Sequence, residues 1–553
     1  MRPVPALRNV RSTRRPATKD VTLRDFSGGL RVTDNEISLK PKYSVSLVNL
    51  FADDDTSQRL RFGTKEFATV GGSIVNMIYF AGHIIAARTD GTIYKVTGSG
   101  TATVIWNSTI ASALPGSPSG WSTGLTIIDF AEFRGSLIIT NGVDKPLIIS
   151  SALAVTYLQD IPSGSNVNTP ITRYVTTVAN YLVMAYTASN KTLIYISSTG
   201  TSGTWPGDSA PNDATSFDVG AYTGDSSSEI NGMFSFKNFL VVFFANFSVT
   251  FSLGTYNDDG DHTPLVVDNY PKTGTINYKM PVAVDNDLLF PTNTAIVSAR
   301  KNQLVGTLET RSRSDDLGTS YGDAVALVEL GNLDSFAIAD PLSKTVFFVL
   351  HQADSEIKIF AMRHTDNLRK ISWTNIEGWN FTCGCVSEKN RVFFGEDDKI
   401  YLYGNEAFED EEFYADYTTD GDDGNDIDFE WELPWIDAGS RVKSKTMRAI
   451  TFDTSGEAAF SLQCFVNNFY RSRETGLRTP VTEMAFIAGD GGGFGVPGYG
   501  SGGFGGGRRA NDERFFGFPF KFKITKLRFY GSTKRLLRIS TVSMLYDHGN
   551  FRP

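Results

Sequence analysis

Along this chain the apolar positions recur in short runs that follow tight turns, with no long stretch at helical spacing. The clearest example lies in residues 230–244, where Phe236-Lys237-Asn238-Phe239 reads as a turn. The run that follows, residues 240–244, is apolar on both faces of an extended strand. Aligning on the small or polar turn residue and the apolar residue two positions later gives seven copies. They are Gly82/Ile84, Gly135/Leu137, Asn180/Leu182, Asn238/Leu240, Asn286/Leu288, Lys344/Val346 and Asn390/Val392. Spacings run from 45 residues (137→182) to 58 residues (182→240). Repeats of roughly 40–50 residues made of short strands are the mark of a β-propeller, whose radial repetition protects strand edges. The expectation is an all-β chain with a propeller of about seven blades over residues 71–405, or six to eight if one copy is false or missed.

Most blades carry further strand signals. In blade one, Asp90-Gly91 sits between alternating strands, a strong hairpin signal. Blade three holds Leu193-Ile194-Tyr195-Ile196, and residues 249–253 are expected to close blade four. Blade five is less regular, around residues 281–297. Blade six has two strands near 346–349 and 357–360, and blade seven is expected to run from Trp373 and Trp379 to Tyr403.

Both flanks differ from the repeats. Residues 1–20 hold Arg2, Arg8, Arg11, Arg14, Arg15 and Lys19 with three prolines and almost no apolar material, so they cannot fold alone. They suit a solvated tail or an arm that docks on an acidic neighbour, with DNA contact a third reading. Residues 21–70 are expected to thread along another part of the fold, with Gly28-Gly29 allowing a bend that side chains would forbid. Residues 406–428 are acidic: Glu409-Asp410-Glu411-Glu412, then Asp416, Asp420, Asp422, Asp423, Asp426 and Asp428. The order of this cluster breaks the EF-hand pattern of Gly at position six and Glu at twelve. A solvated loop, an acidic rim facing DNA or a basic arm, and a calcium loop remain its three readings. From residue 429 to 553 a second β module alternates with period two, as a sandwich with one wet face does. Its residues 489–507 are a glycine-rich loop with aromatic anchors; the formal G-x-G-x-x-G inside it is followed by no helix and holds no pyrophosphate.

Composition narrows the function classes. Net charge is −9, which argues against a general nucleic-acid binder but not against a surface that DNA passes without sticking. Three Cys (Cys383, Cys385, Cys464) form no disulfide framework, and Cys383-Gly384-Cys385 places two thiols on one strand face with no further metal ligands at suitable spacing. No apolar stretch is long enough to span a bilayer. P-loop, H-E-x-x-H and G-x-S-x-G motifs are absent, and no two of the five His stand at ligand spacing. The nearest enzyme signature is the turn ending at Trp205, but the sialidase pattern needs an Asp where Gly200 stands. No catalytic residue, cofactor or metal is therefore assigned. A carbohydrate-binding or carbohydrate-cleaving propeller at a host surface is the alternative reading.

Ile194-Tyr195-Ile196-Ser197-Ser198 through Thr204-Trp205-Pro206, then Phe217-Asp218-Val219-Gly220, Glu229-Ile230-Asn231-Gly232 and residues 236–243, resemble the tail nozzle proteins of short-tailed bacteriophages. So do Asp25-Phe26-Ser27-Gly28-Gly29-Leu30 and Asp547-His548-Gly549-Asn550-Phe551-Arg552. The resemblance implies a structural protein of the virion tail, made in the host cytoplasm. It implies a hexameric ring below the portal and adaptor rings that extends the DNA channel and helps carry fibres or spikes. Within it, Arg8, Arg11, Arg14 and Arg15 are candidate docking residues. Glu409, Asp410, Glu411, Glu412, Asp420, Asp422, Asp423 and Asp426 are candidate channel or contact residues.

Overall fold

The computed structural model describes residues 18–548 apart from 33–34, 54–55, 115–118, 159–168, 207–212, 223–227, 254–263, 272, 302–307, 329–332, 366–367, 405–415, 417–423, 457, 468–481, 489–511, 517–519 and 535. The described residues are almost entirely β; their longest helix, Thr319–Ala326, has 8 residues.

Seven four-stranded antiparallel units follow one another around a closed circle. Their first strands are Ile74–Phe80, Asp129–Phe133, Tyr174–Val178, Gly232–Phe236, Val282–Val284, Phe336–Asp340 and Cys383–Val386. The first strand of blade seven contacts that of blade one, so the array closes. Closure is also covalently offset: the outer strand of blade seven, Thr64–Thr69, comes from before blade one and pairs with Lys399–Tyr403.

Each of the seven sequence copies is the turn and second strand of one blade. In five of them the turn is a two-residue hairpin, flanked by Phe80/His83, Phe133/Ser136, Val178/Tyr181, Phe236/Phe239 and Val284/Asp287. The first loop residue is left-handed in each, with φ of 48° at Ala81, 52° at Arg134, 52° at Ala179, 50° at Lys237 and 51° at Asp285. A loop this short needs that conformation to match the strand twist.

The second strand is apolar on both faces because each face packs against a different neighbour. Leu240 and Val242 join the core between blades three and four, whereas Val241 and Phe243 join the core between blades four and five. Blade one repeats the division, with Ile84 and Ala86 toward blade seven and Ile85 and Ala87 toward blade two. Blade six does so with Val346 and Phe348 against Phe347 and Val349. Each such Val, Leu, Ile or Phe side chain contributes about 1.5–3 kcal/mol on burial, and the alanines less. Each of the seven apolar clusters among the described residues therefore holds one blade interface, and the one between blades five and six continues into the second module.

Three boundaries differ from the sequence expectation. Blade four closes with Leu265–Pro271, and residues 249–252 belong to its third strand, Phe247–Ser252. Blade five extends to Leu308–Ser312. Trp373 lies in the outer strand of blade six, Ile371–Ile376, so blade seven starts later.

The second module is a two-sheet sandwich joined edge-on to the propeller. The outer strand of blade six meets Ser46–Val48, which pairs in turn with Ile427–Glu432, and the sheet continues through Ile524–Thr533, Ala458–Asn467 and Thr482–Ala488. The facing sheet is built on Lys445–Gly456 and Leu537–His548, and Thr18–Leu23 pairs with the latter. One core runs from the blade five–six interface into the sandwich, including Phe348, Trp373, Trp431, Phe529 and Met544. Residues 18–69 thus supply strands to the sandwich, to the joint and to blade seven. Gly29, with φ of 65°, makes the close pass possible: a Cβ there would lie 2.8 Å from the backbone nitrogen of Trp373.

Candidate functional site

Propellers expose two natural sites, the axis and the outer surface. Here the axis is crossed by the link between blades four and five, residues 275–280. Asn277 Nδ2 donates to Ser335 O at 2.7 Å, and Ala337 N donates to Lys279 O at 3.0 Å, both on the blade six side. Tyr278 Oη donates to Ile128 O at 3.0 Å, beside blade two. Lys279 Nζ donates to Val75 O of blade one at 3.3 Å and to Thr382 O next to blade seven at 3.0 Å. Gly232 of blade four lets the link pass, since a Cβ there would come within 2.7 Å of Tyr278 Cα. This six-residue link therefore bonds to most of the blades and fills the centre.

A cavity of about 160 Å³ remains beside it, lined by Asn76, Asp129, Tyr278, Lys279, Phe336, Ala337 and Gly384. Burial pushes the Lys279 ammonium below the usual lysine range. Burial pushes the Asp129 carboxyl up to about 7, opposed by the N–H groups of Val175 and Phe130 that donate to it. Burial also pushes the neighbouring Cys383 thiol up to about 11. All three groups are drawn toward their neutral forms. The three cysteines are free and buried.

The outer surface holds a different arrangement. A cleft of about 580 Å³ is lined by Arg31, Arg300, Arg311, Ser312, Arg313, Asp315, Asp316, Leu368, Arg369 and Ile371. It lies between the outer strands of blades five and six and the threading segment. Arg31 also lines an adjoining cleft of about 250 Å³ with Lys40 and Lys42. The cleft is held rigid from below by Asp287, whose side chain is fully buried. Asp287 takes two guanidinium donors from Arg300 and one from Arg313, the last at 3.3 Å. Arg313 Nε also donates to Ser298 Oγ at 2.8 Å, and its carbonyl accepts Trp373 Nε1 at 3.1 Å. Arg31 pairs with Asp316 at 3.4 Å and lies over the Tyr43 ring at 4.9 Å. Arg311 and Arg369 are exposed and have no carboxylate partner among the described residues.

Of the residues expected from sequence to make contacts, Arg8, Arg11, Arg14, Arg15, Glu409, Asp410, Glu411, Glu412, Asp420, Asp422 and Asp423 lie outside the described residues, as does the glycine-rich loop. Asp426 is exposed. Asp416, from the same acidic stretch, is turned inward onto Arg61, at 3.0 Å from Nη1. Arg61 is also bonded to Asn49 and Phe62 O and lies 4.6 Å from the Trp379 ring centre. Trp205, in the turn compared with sialidases, is fully buried between blades two and three. Among the described residues no group of three or more His, Cys, Asp or Glu could hold a metal. No helix among them is long and apolar enough to cross a membrane. The cleft was missed in the sequence because its arginines come from well-separated stretches. The one local signal was Arg311-Ser312-Arg313, which spaces two cations by two residues.

No family model matches the sequence, and no curated protein matches it. Solved structures with some similarity include streptogramin B lyase, at 14% identity, TM-score 0.39, and coverage of 62% of this chain and 98% of that one. YCF48 bound to D1 peptide is 12% identical with a TM-score of 0.36, covering 63% of this chain and 96% of the other. A chain of the mitotic checkpoint complex is 10% identical with a TM-score of 0.38, covering 61% and 92%. At these values no activity carries over, and the propeller assignment rests on the seven sheets themselves.

Proposed function

We propose that this chain is a structural subunit of the tail nozzle of a short-tailed bacteriophage, assembling as a ring through which DNA leaves the particle. The observation that carries the reading is the fusion of propeller and sandwich into one block by residues 18–69, with the propeller axis filled by its own link. Such a block offers faces for packing and leaves passage of DNA to a space between subunits. Three of the segments that resemble nozzle proteins touch these joints, while 194–206, 217–220 and 236–243 lie within blades three and four. Asp25-Phe26-Ser27-Gly28-Gly29-Leu30 passes blade six at Gly29, and its Phe26 meets Trp431 of the sandwich at 4.7 Å. Glu229-Ile230-Asn231-Gly232 borders the axial link, and Asp547 accepts Thr18 Oγ1 at 2.9 Å where Thr18–Leu23 pairs with Leu537–His548. A net charge of −9 suits a passage from which the phosphate backbone is repelled. Portal or adaptor rings above and fibres or spikes beside it are the partners this role requires.

Electron microscopy of the purified protein and of virions tests the reading. A six-fold ring on the tail axis supports it. Dispersed monomers, or cleavage of host glycans by the purified protein, would overturn it in favour of a carbohydrate-active propeller.

A further inference from the structure

We propose that the arginine cleft is a binding site for a ligand that carries two or more phosphate groups. The proposal goes beyond the ring reading and does not depend on it.

The cleft is the polar continuation of an otherwise apolar joint. On the face of blade five turned to blade six, Leu289 and Ile296 belong to the shared core. Asp287, Ser298, Arg300 and Arg311 share that face by register, since Asp287 pairs with Arg300, Leu289 with Ser298, and Ser298 with Arg311. Leu368, Arg369 and Ile371 line the cleft from blade six, and Arg31 enters it from the threading segment. Seven cations line this cleft and its neighbour, against three carboxylates bonded into or lining them, Asp287, Asp315 and Asp316. On a chain of net charge −9 this is a local reversal.

Three of the guanidiniums are positioned before any ligand arrives. The fully buried Asp287 holds Arg300 and Arg313 from below, and Ser298 Oγ accepts from Arg313. Asp316 and the Tyr43 ring hold Arg31. The charges still oppose one another. Burial lowers the Arg313 pKa, Asp287 raises it, and the charges of Arg311 and Arg300 lower it again. An anion set among these guanidiniums removes that repulsion. Arg311 and Arg369 are exposed, so a ligand can reach them.

Phosphate is the anion that matches the arrangement. Guanidiniums reach the cleft from three separate segments, at Arg31, at Arg311 with Arg313, and at Arg369. The acceptor must therefore offer oxygens in more than one plane. A carboxylate has two oxygens in a single plane, whereas a terminal phosphate has three acceptor oxygens and a charge of about −1.5 to −2 at neutral pH. Two positions are furnished. Arg311, Arg313 and Arg369 line the larger cleft of about 580 Å³, Lys40 and Lys42 line the adjoining one of about 250 Å³, and Arg31 lines both. Clefts of this size take a small organic molecule. The shared chemistry is thus two phosphates joined by a short linker, either a phosphate chain free in solution or a phosphorylated sugar.

Titration calorimetry on the full chain at fixed ionic strength tests the proposal, with tripolyphosphate and fructose bisphosphate as probes and citrate as the carboxylate control. One probe molecule is expected to bind per chain, about tenfold or more tighter than citrate. Tighter binding of fructose bisphosphate assigns the sugar source, and tighter binding of tripolyphosphate the free chain; both support the site. Arg311→Ala and Arg369→Ala should each weaken binding about tenfold and together about a hundredfold. Lys389→Ala, an exposed lysine in a turn of blade seven, should leave binding unchanged. Unchanged melting of the arginine variants confirms folding, since both side chains are exposed. Binding no tighter than that of citrate, or weakened as much by Lys389→Ala as by Arg369→Ala, would overturn the site. An oligothymidylate that binds more tightly than either probe would overturn it in favour of contact with DNA. Binding that appears only after Glu409→Gln, Asp410→Asn, Glu411→Gln and Glu412→Gln are combined would overturn it in favour of occupancy by the chain's own acidic run.

Discussion

The propeller axis and the arginine cleft treat charge in opposite ways. At the axis Lys279 and Asp129 are held by backbone carbonyls and N–H groups, and burial draws each toward neutrality. In the cleft the guanidiniums are held by carboxylates, chiefly the buried Asp287, whose hydrogen bond lifts the Arg300 pKa further. The first arrangement seals a centre, because polar groups with backbone partners tie the blades together while burial disfavours their charged forms. The second keeps its charge and shows it to solvent. The comparison teaches that a propeller can move its polar chemistry from the axis to the rim once a link fills the middle.

Changes at the axis should have the largest effect. Tyr278→Ala removes a buried ring and its hydrogen bonds to Ile128, and should cost about 3–5 kcal/mol in denaturant unfolding. A cost below about 1 kcal/mol would mean that the link does not hold the blades. Asp287→Ala comes next, at about 3 kcal/mol, because it leaves Arg313 half-buried without its carboxylate. Asp129 should leave a smaller signature, on the order of 1 kcal/mol, in the pH dependence of stability. Its carboxyl titrates near 7 when folded and near 3.8 when unfolded, so between these values the unfolded chain binds fewer protons. Stability should fall as pH rises through that window and level off above it, and Asp129→Asn should flatten the slope in melts at pH 5 and pH 8. The smallest effect is Arg369→Gln, which should change monomer stability by less than about 0.5 kcal/mol. A large loss there would make the cleft part of the fold and not a surface for contact.

The propeller was legible in the sequence for a definite physical reason. The second strand of every blade is squeezed between two neighbours, so it must be apolar at consecutive positions, and a two-residue turn precedes most of them. Edge strands escape this constraint. Leu265–Pro271 carries Asp268 and Asn269 on an outer edge and so reads as loop. Thr64–Thr69 has Lys65 and Glu66 and completes a blade more than 300 residues later in the chain, which no local pattern records. The axial link reads as a connection because its polar residues meet backbone partners supplied by other blades. The cleft depends on Arg31, Arg300 and Arg369 meeting in space, and each alone is an ordinary surface residue.

Electron microscopy of the purified full-length protein over a range of concentrations tests the ring reading most directly. Closed six-fold rings are the expected result. Particles that stay single at every concentration, or that only pair two-fold, would contradict it.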